Sequence, residues 1–242
     1  MPGRPHAFQK KNGAFKEKCA VCDKKIKFGK SCLKCQDCGV ICHPECKIEV
    51  PLPCIRGVNR TPTNKHGNFL ANFTPLEPPM VPPLLTVCIK EIERRGLNEV
   101  GLYRIPGNES ETNDILDKLT HAKGATPVLT KFEIPTVTSV VKKFLRSLKE
   151  PVIPLSLWQV FVDAATNPDS TDVEAAMYQA ISELPLPNRD TLAYLIVHLQ
   201  TVADNSVFNK MDKDNLAVIM GPTILGKILL TLNIFHCPEI VF

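Results

Sequence analysis

Eight residues between His6 and Cys54 have side chains suited to holding metal, and their spacing is regular: H-x12-C-x2-C-x12-C-x2-C-x4-H-x2-C-x7-C. They are His6, Cys19, Cys22, Cys35, Cys38, His43, Cys46 and Cys54. Zinc takes four thiolate or imidazole ligands in a tetrahedron, and a C-x2-C knuckle supplies two thiolates from one tight turn. Eight ligands make two such sites. With four protein ligands each, neither keeps an open position, so the metal expected here is structural and the segment is not a metalloenzyme centre. Cys32 and Cys42 are left over; Cys32 also makes a C-x2-C with Cys35, and only the whole pattern decides the register. Cys42 reads as a small buried residue.

A second group of candidates lies downstream in polar loops that helix packing does not explain. Gly101-Leu102-Tyr103-Arg104-Ile105-Pro106-Gly107 sets one arginine in a turn between a glycine and a Pro-Gly pair. Lys142 and Arg146, four apart, share one helical face and are followed by Lys149-Glu150-Pro151. Asn215-Leu216-Ala217 runs on to Gly221-Pro222-Thr223. A guanidinium stays protonated and offers a rigid fork of donors to phosphate oxygens, which an ammonium does not copy. Taken singly, Arg104, Lys142 and Arg146 also fit solvated basic side chains. His66, His121, His198 and His236 suggest no catalytic arrangement and read as surface or core packing.

The elements that must position these groups divide the 242 residues in two. Eight of the ten cysteines precede residue 55, and the first 60 residues carry 13 Lys/Arg against 5 Asp/Glu, a balance of +8. The rest carries 16 against 20, so a basic module precedes a mildly acidic one. Such a charge attracts anionic lipid and nucleic acid alike. Among Lys24, Lys25, Lys27 and Lys30 stands one aromatic residue, Phe28, a single ring rather than a row of stacking platforms, so nucleic acid is not expected. The remaining readings are contact with anionic lipid head groups or a solvated face on a structural module.

Residues 1–11 lack the apolar stretch of an export signal and no run of 18 apolar residues exists, so reduced cysteines in the cytoplasm are the expectation. From Ile55 to about Pro83 the prolines Pro75, Pro78, Pro79, Pro82 and Pro83 argue against regular helix and suggest a linker with an extended arm. Helical periodicity follows. Val87, Ile89 and Ile92 with the Glu91–Arg95 pair predict a helix stopping at Gly96. Val137, Val140, Val141, Phe144, Leu145 and Leu148 predict another, ended by Pro151. Thr171 and Glu174 form a capping box ahead of Val173, Met177 and Ile181. Leu192, Leu195, Ile196, Leu199 and Val202 give the clearest stripe. The second part is expected to be all-α.

The ligand order over the first 56 residues resembles the C1 domain, a small β-rich module cross-braced by two structural Zn2+ ions. That resemblance implies His6, Cys35, Cys38 and Cys54 on one zinc and Cys19, Cys22, His43 and Cys46 on the other. The proline and Gln-Gly of diacylglycerol-binding members are missing from Ala14–Lys18 and Gly29–Leu33, and the second loop is one residue short. The module resembles an atypical C1 domain whose lysines meet anionic lipid.

The order G-[LI]-[YF]-R, K-x-F-L-R-x-L-x-E-P, N-L-A-x3-G-P-T resembles the RhoGAP domain. This implies a GTPase activator, not itself a hydrolase, with Arg104 as an arginine finger whose glycine-flanked turn lets the backbone approach the nucleotide. Lys142 and Arg146 would support the finger loop and meet the partner's acidic switch regions; Asn215 would hydrogen-bond the partner. Lys25–Lys30, His43–Cys46, Pro51–Ile55, Ala176–Ala180 and Asn188–Ala193 are worded like the MgcRacGAP family, the RhoGAP subunit of centralspindlin with its rotund-type insect relatives. The implied partner is a GTP-bound Rac, Cdc42 or Rho, and the implied setting is cytokinesis or another actin-dependent process, with recruitment to plasma membrane or midzone. The expected organisation is a C1 domain at 1–56, linker at 57–83 and RhoGAP domain at 84–242. The family's amino-terminal coiled coil is absent, and Lys227–Phe242 departs from its pattern, which suggests a truncated or spliced form. The alternative function is a non-catalytic lipid- or partner-docking module.

Overall fold

A computed structural model describes residues 5–14, 17–22, 24–36, 39–50, 54, 68–121, 128–166 and 170–226. In the first part, β1 (Phe8–Asn12), β2 (Ser31–Cys35) and β3 (Ile41–Cys42) form one antiparallel sheet in that order. Phe8 pairs with Cys35, Asn12 with Ser31, and Leu33 with Cys42. A 3-10 helix over Pro44–Glu49 follows. The core beneath the sheet is small, and half of its buried residues are cysteines, the others being Val21, Ile26, Leu33, Val40 and Val50. Among the described residues five buried aliphatic side chains are too few to offset chain entropy on their own.

The second part is helical throughout its described residues. Helix α1 (Pro83–Arg95) opens with proline at its first position, where the missing N–H costs nothing, and buries Leu85, Cys88, Ile89 and Ile92 on one stripe. It ends at Gly96 as expected, and Glu91 pairs with both Arg94 and Arg95. Helix α2 (Glu109–His121) and α3 (Ile134–Arg146) follow; α3 buries Val137, Val140, Val141, Phe144 and Leu145 against α1, α2 and a later helix. It stops at Arg146, five residues before Pro151: the Ser147 hydroxyl donates to the Phe144 carbonyl, and the Lys149 amide turns to the carbonyl of Asn68.

Helices α4 (Trp158–Ala165), α5 (Ser170–Ser182), α6 (Leu186–Asp204), α7 (Ser206–Asn209) and α8 (Lys213–Ile224) complete the domain. Helix α5 includes Ser170, and the side chain of Thr171, expected to form a capping box with Glu174, lies outside the described residues. In α6 the stripe Leu192, Leu195, Leu199 and Val202 is buried, with His198 on the same face. Leu70 and Val81, within the stretch expected as linker and arm, are buried in the helical core, and Phe73 meets the ring of Phe144 edge-on at 5.1 Å. Residues 55–67 and Lys227–Phe242, where the rest of that linker and the departing tail were placed, lie outside the described residues.

Candidate functional site

The chain leaves α1 through a tight reversal that exposes one arginine. Gly101 has φ +72°, a region open to glycine, and its amide donates to the carbonyl of Asn209 at 2.7 Å. The amides of Arg104 and Ile105 both return to the Gly101 carbonyl, at 2.8 and 2.9 Å. Leu102 and Tyr103 are buried, while Arg104 is exposed beside Ile105. Tyr103 also takes a left-handed backbone, φ +66°, which is uncommon and unfavourable for a bulky residue. That conformation sends the tyrosine ring inward and the next side chain out.

The loop closes against α3. A β-carbon on Gly107 would sit 2.2 Å from the Cα and the backbone N of Thr136, so only glycine fits there. The Gly107 amide donates to Ser139 Oγ at 3.0 Å and the Asn108 amide to Thr136 Oγ1 at 3.2 Å. Both glycines have a reason inside the fold: Gly101 makes the left-handed turn, and Gly107 lets the loop lie on a helix.

Lys142 and Arg146 sit on α3 as the spacing predicts, but they face different neighbours. Lys142 is half-buried and its Nζ donates to the carbonyl of Tyr103, the peptide just before Arg104. Burial, and secondarily the nearby Arg146 charge, hold its pKa below the ordinary lysine value. Arg146 is exposed, and its Nε donates to Thr223 Oγ1 on α8 at 3.0 Å. Asn215 lies in the first turn of α8. Its amide is capped by Asp212 Oδ1 at 2.8 Å, and its Nδ2 reaches the Lys210 carbonyl at 3.5 Å. The buried Asn209 joins the two sides: its carbonyl holds Gly101, while its side-chain amide donates to Leu97 and Val202 carbonyls at 2.8 and 2.9 Å and its Oδ1 accepts from the Met211 amide. Arg104, Lys142, Arg146 and Asn215 are therefore linked through one hydrogen-bonded set of elements.

Sequence reasoning missed Asn209, and it missed a buried polar tie beneath the finger loop. The Tyr103 hydroxyl is 2.8 Å from His198 Nε2, and His198 Nδ1 is 2.8 Å from Glu93 Oε1. His198, read as surface or core packing, is 1% exposed and hydrogen-bonded at both nitrogens. The available signal was a histidine in register with the apolar stripe of α6, which asks for buried partners. His66 and His236, and the His121 side chain, lie outside the described residues.

In the first part, the atoms of Cys19, Cys22, His43 and Cys46 lie within 4.8 Å of one another, and so do those of His6, Cys35 and Cys54. Cys22 Sγ to His43 Nδ1 is 3.4 Å and Cys35 Sγ to Cys54 Sγ is 3.5 Å. A tetrahedral zinc site has ligand–ligand edges of about 3.5–3.8 Å from its bond lengths. Both groups are compatible with zinc. Cys38 lies outside the described residues, and Cys32 and Cys42 belong to neither group. Both are fully buried, and burial pushes the Cys42 thiol up to about 11. Lys24, Lys25, Lys27 and Lys30 are exposed and line one cleft with Cys22, His43 and Cys46, joined by the single acidic Glu45.

Comparison with known proteins places these two sites in a known order. A model of the phorbol ester/diacylglycerol-binding (C1) domain matches residues 6–57, and the RhoGAP domain model matches residues 82–228. Mouse Rac GTPase-activating protein 1 is 45% identical over 224 residues, 92% of this chain and 35% of the mouse protein. Bovine Rho GTPase-activating protein 29 is 31% identical over 91% of this chain and 19% of its own length. The chain thus spans about a third or less of these relatives. Among solved structures, the BH domain from Graf, the GTPase regulator associated with focal adhesion kinase, aligns with a TM-score of 0.60 and 34% identity, covering 65% of this chain and 86% of that one. Human Rho GTPase activating protein 15 aligns at 0.56 and 32%, covering 60% and 69%. On the buried helices, the exposed arginine loop and these matches, the chain belongs to the RhoGAP family and carries a C1 domain ahead of its RhoGAP domain.

Proposed function

We propose that this chain accelerates GTP hydrolysis by a small GTPase of the Rho family, acting in trans on the GTP-bound partner, and that Arg104 supplies the positive charge. The observation that carries this reading is the contrast at one peptide. Tyr103 is buried, left-handed and held at its carbonyl by Lys142, whereas the adjacent Arg104 projects into solvent. A side chain on a braced loop can enter a partner's site without losing much conformational freedom on binding.

Negative charge grows on the phosphate oxygens in the transition state of phosphoryl transfer, and a fixed guanidinium stabilises it by roughly 10³–10⁵ in rate. Lys142 keeps the preceding carbonyl from turning. Arg146 links α3 to α8 through Thr223 and stays at the surface to meet acidic groups of the partner. Asn215, at the start of α8, offers its side-chain amide to the partner. The match to a mouse Rac activator makes Rac the first partner to test, with Cdc42 and Rho beside it.

The C1 part holds two structural zinc ions, one on Cys19, Cys22, His43 and Cys46, the other on His6, Cys35, Cys38 and Cys54. Bound there, zinc fixes the fold. Lys24, Lys25, Lys27 and Lys30 then present positive charge to anionic lipid and bring the arginine loop to a membrane surface or cortical cytoskeleton from the cytoplasm. Among the described residues no helix is long and apolar enough to cross a membrane.

The deciding experiment is single-turnover hydrolysis by GTP-loaded Rac, Cdc42 and Rho with and without the chain. Acceleration of at least one supports the proposal. No acceleration of any, with binding retained, turns the reading to a docking module.

A further inference from the structure

Three side chains from three separate elements make a polar chain under the arginine loop. Tyr103 comes from the loop, His198 from α6 and Glu93 from α1, 105 residues before His198 in sequence. The Tyr103 and His198 rings meet edge-on, centroids 5.7 Å apart at 69°. Tyr103 and His198 are each 1% exposed, and the Glu93 side chain is 36% exposed, so the chain runs from the core to the surface.

Hydrogen-bond chemistry sets its direction. A carboxylate only accepts, so Nδ1 of His198 carries the hydrogen that meets Glu93. With that hydrogen on Nδ1, Nε2 can accept from the Tyr103 hydroxyl. Burial, with smaller contributions from Cys88, Glu93 and Tyr194, raises the Tyr103 pKa well above its ordinary value, so the hydroxyl keeps that proton. Filling the core requires none of this, since phenylalanine has nearly the same shape. What the hydroxyl adds is a directional hold on a residue whose backbone is unfavourable.

We propose that Tyr103, His198 and Glu93 form a positioning relay that holds the finger loop in its left-handed turn and so sets the direction in which Arg104 points. None of the three touches the partner; each acts through the next, and the last acts through the peptide between Tyr103 and Arg104. If Tyr103 relaxed to an ordinary backbone, that peptide would rotate and the guanidinium would swing away from its line of approach. The inference rests on Arg104 being the residue that enters the GTPase, and the relay itself is open to a measurement that does not depend on hydrolysis.

The test compares the whole chain with Tyr103→Phe and with Tyr103→Phe/His198→Leu, the second removing the imidazole that the first leaves without a donor. Each is measured by thermal unfolding, by 15N relaxation of the Arg104 and Ile105 amides, and by single-turnover hydrolysis on GTP-loaded Rac over a range of activator concentrations. Tyr103→Phe should lower the saturating rate by about tenfold to a hundredfold, as a misplacement near 1 Å does, with half-saturation unchanged. The two amides should gain fast motion. The double variant should recover thermal stability while rate and rigidity stay low. Wild-type rate and rigid amides in Tyr103→Phe overturn the relay, as does a double variant that recovers rate together with stability. If Tyr103→Phe does not fold, Glu93→Leu reads the same chain from its exposed end: it should lose rate, and Glu93→Gln, which still accepts from Nδ1, should restore it. Equal rates in those two also overturn the relay. A wild-type chain that accelerates no GTPase defeats the reading of Arg104, while the amide relaxation still decides the relay.

Discussion

Nζ of Lys142 donates to the main-chain carbonyl of Tyr103, so a lysine on α3 holds the peptide from which Arg104 springs. The lysine is thereby committed inside the molecule, and its shifted titration follows from that burial. Below its folded pKa the lysine is charged in both states, and burial there disfavours the native form. Between its folded pKa and 10.5 the unfolded chain still binds a proton that the native chain has released, so stability rises with pH in that window. Urea unfolding of wild type and Lys142→Met, stepped from neutral pH up to 10.5, should show wild type gaining on the variant as the upper limit is approached. A pH-independent difference would place Lys142 in open water and contradict its position under the loop.

Arg104→Ala should lower GTPase stimulation by roughly 10³-fold or more, since the guanidinium acts on charge that exists only in the transition state. Affinity for a GTPase loaded with a non-hydrolysable nucleotide should change little. Arg104→Lys should not restore the rate, because an ammonium lacks the planar fork. Single-turnover hydrolysis and equilibrium binding on the same preparations check all three. A lysine variant near wild-type rate would reduce the arginine to a point charge.

Gly107→Ala puts a methyl group where the Thr136 backbone already stands. The neighbour is main chain in the first turn of a helix and has no rotamer to change. Destabilisation by about 1–3 kcal/mol is expected, the usual range for overpacking. Chemical denaturation measures it, and the variant's hydrolysis rate should fall as well because the loop is displaced from α3. An alanine variant of wild-type stability would mean that the loop does not lie on α3 in solution.

The purified chain should contain two zinc ions by elemental analysis. A strong chelator should remove both and unfold the strand part, given how few aliphatic side chains its core holds. The helical circular dichroism signal should survive, since the helical core contains none of the ligands. One zinc per chain, or retention of the strand fold after chelation, would contradict the assignment.

Changing Lys24, Lys25, Lys27 and Lys30 together to alanine should weaken binding to phosphoinositide-containing vesicles by about a thousandfold, at roughly 1 kcal/mol per lysine. Binding to vesicles of phosphatidylcholine alone should be weak before and after. Vesicle flotation at two salt concentrations separates the outcomes. If the variant binds as wild type does, these lysines are a solvated face.

Local features were the legible ones. The two ligand groups announce themselves because a knuckle and its spacing are short-range, and four of the eight residues meet around one point and three around another. The period of α3 and α6 was plain because one apolar face repeats over several turns. Ends were harder: Pro151 marks where the helix can no longer continue, while the last helical residue of α3 is Arg146, five residues earlier. Least legible were the ties that aim Arg104. Tyr103 and His198 are 95 residues apart and Gly101 and Asn209 more than a hundred, so no window of sequence contains both ends. A histidine in an apolar stripe and an asparagine in a short helix state a need for partners without naming them.

The buried Asn209 bears on engineering. It holds the turn at Gly101 through its carbonyl and organises the α6–α7 junction and Met211 through its side chain, one turn away from the start of α8. Copying the seven residues Gly101–Gly107 onto another helical scaffold therefore transfers a loop without its foundation. A working transplant has to import Asn209 and its helix too, because the arginine's aim is set from the far end of the chain.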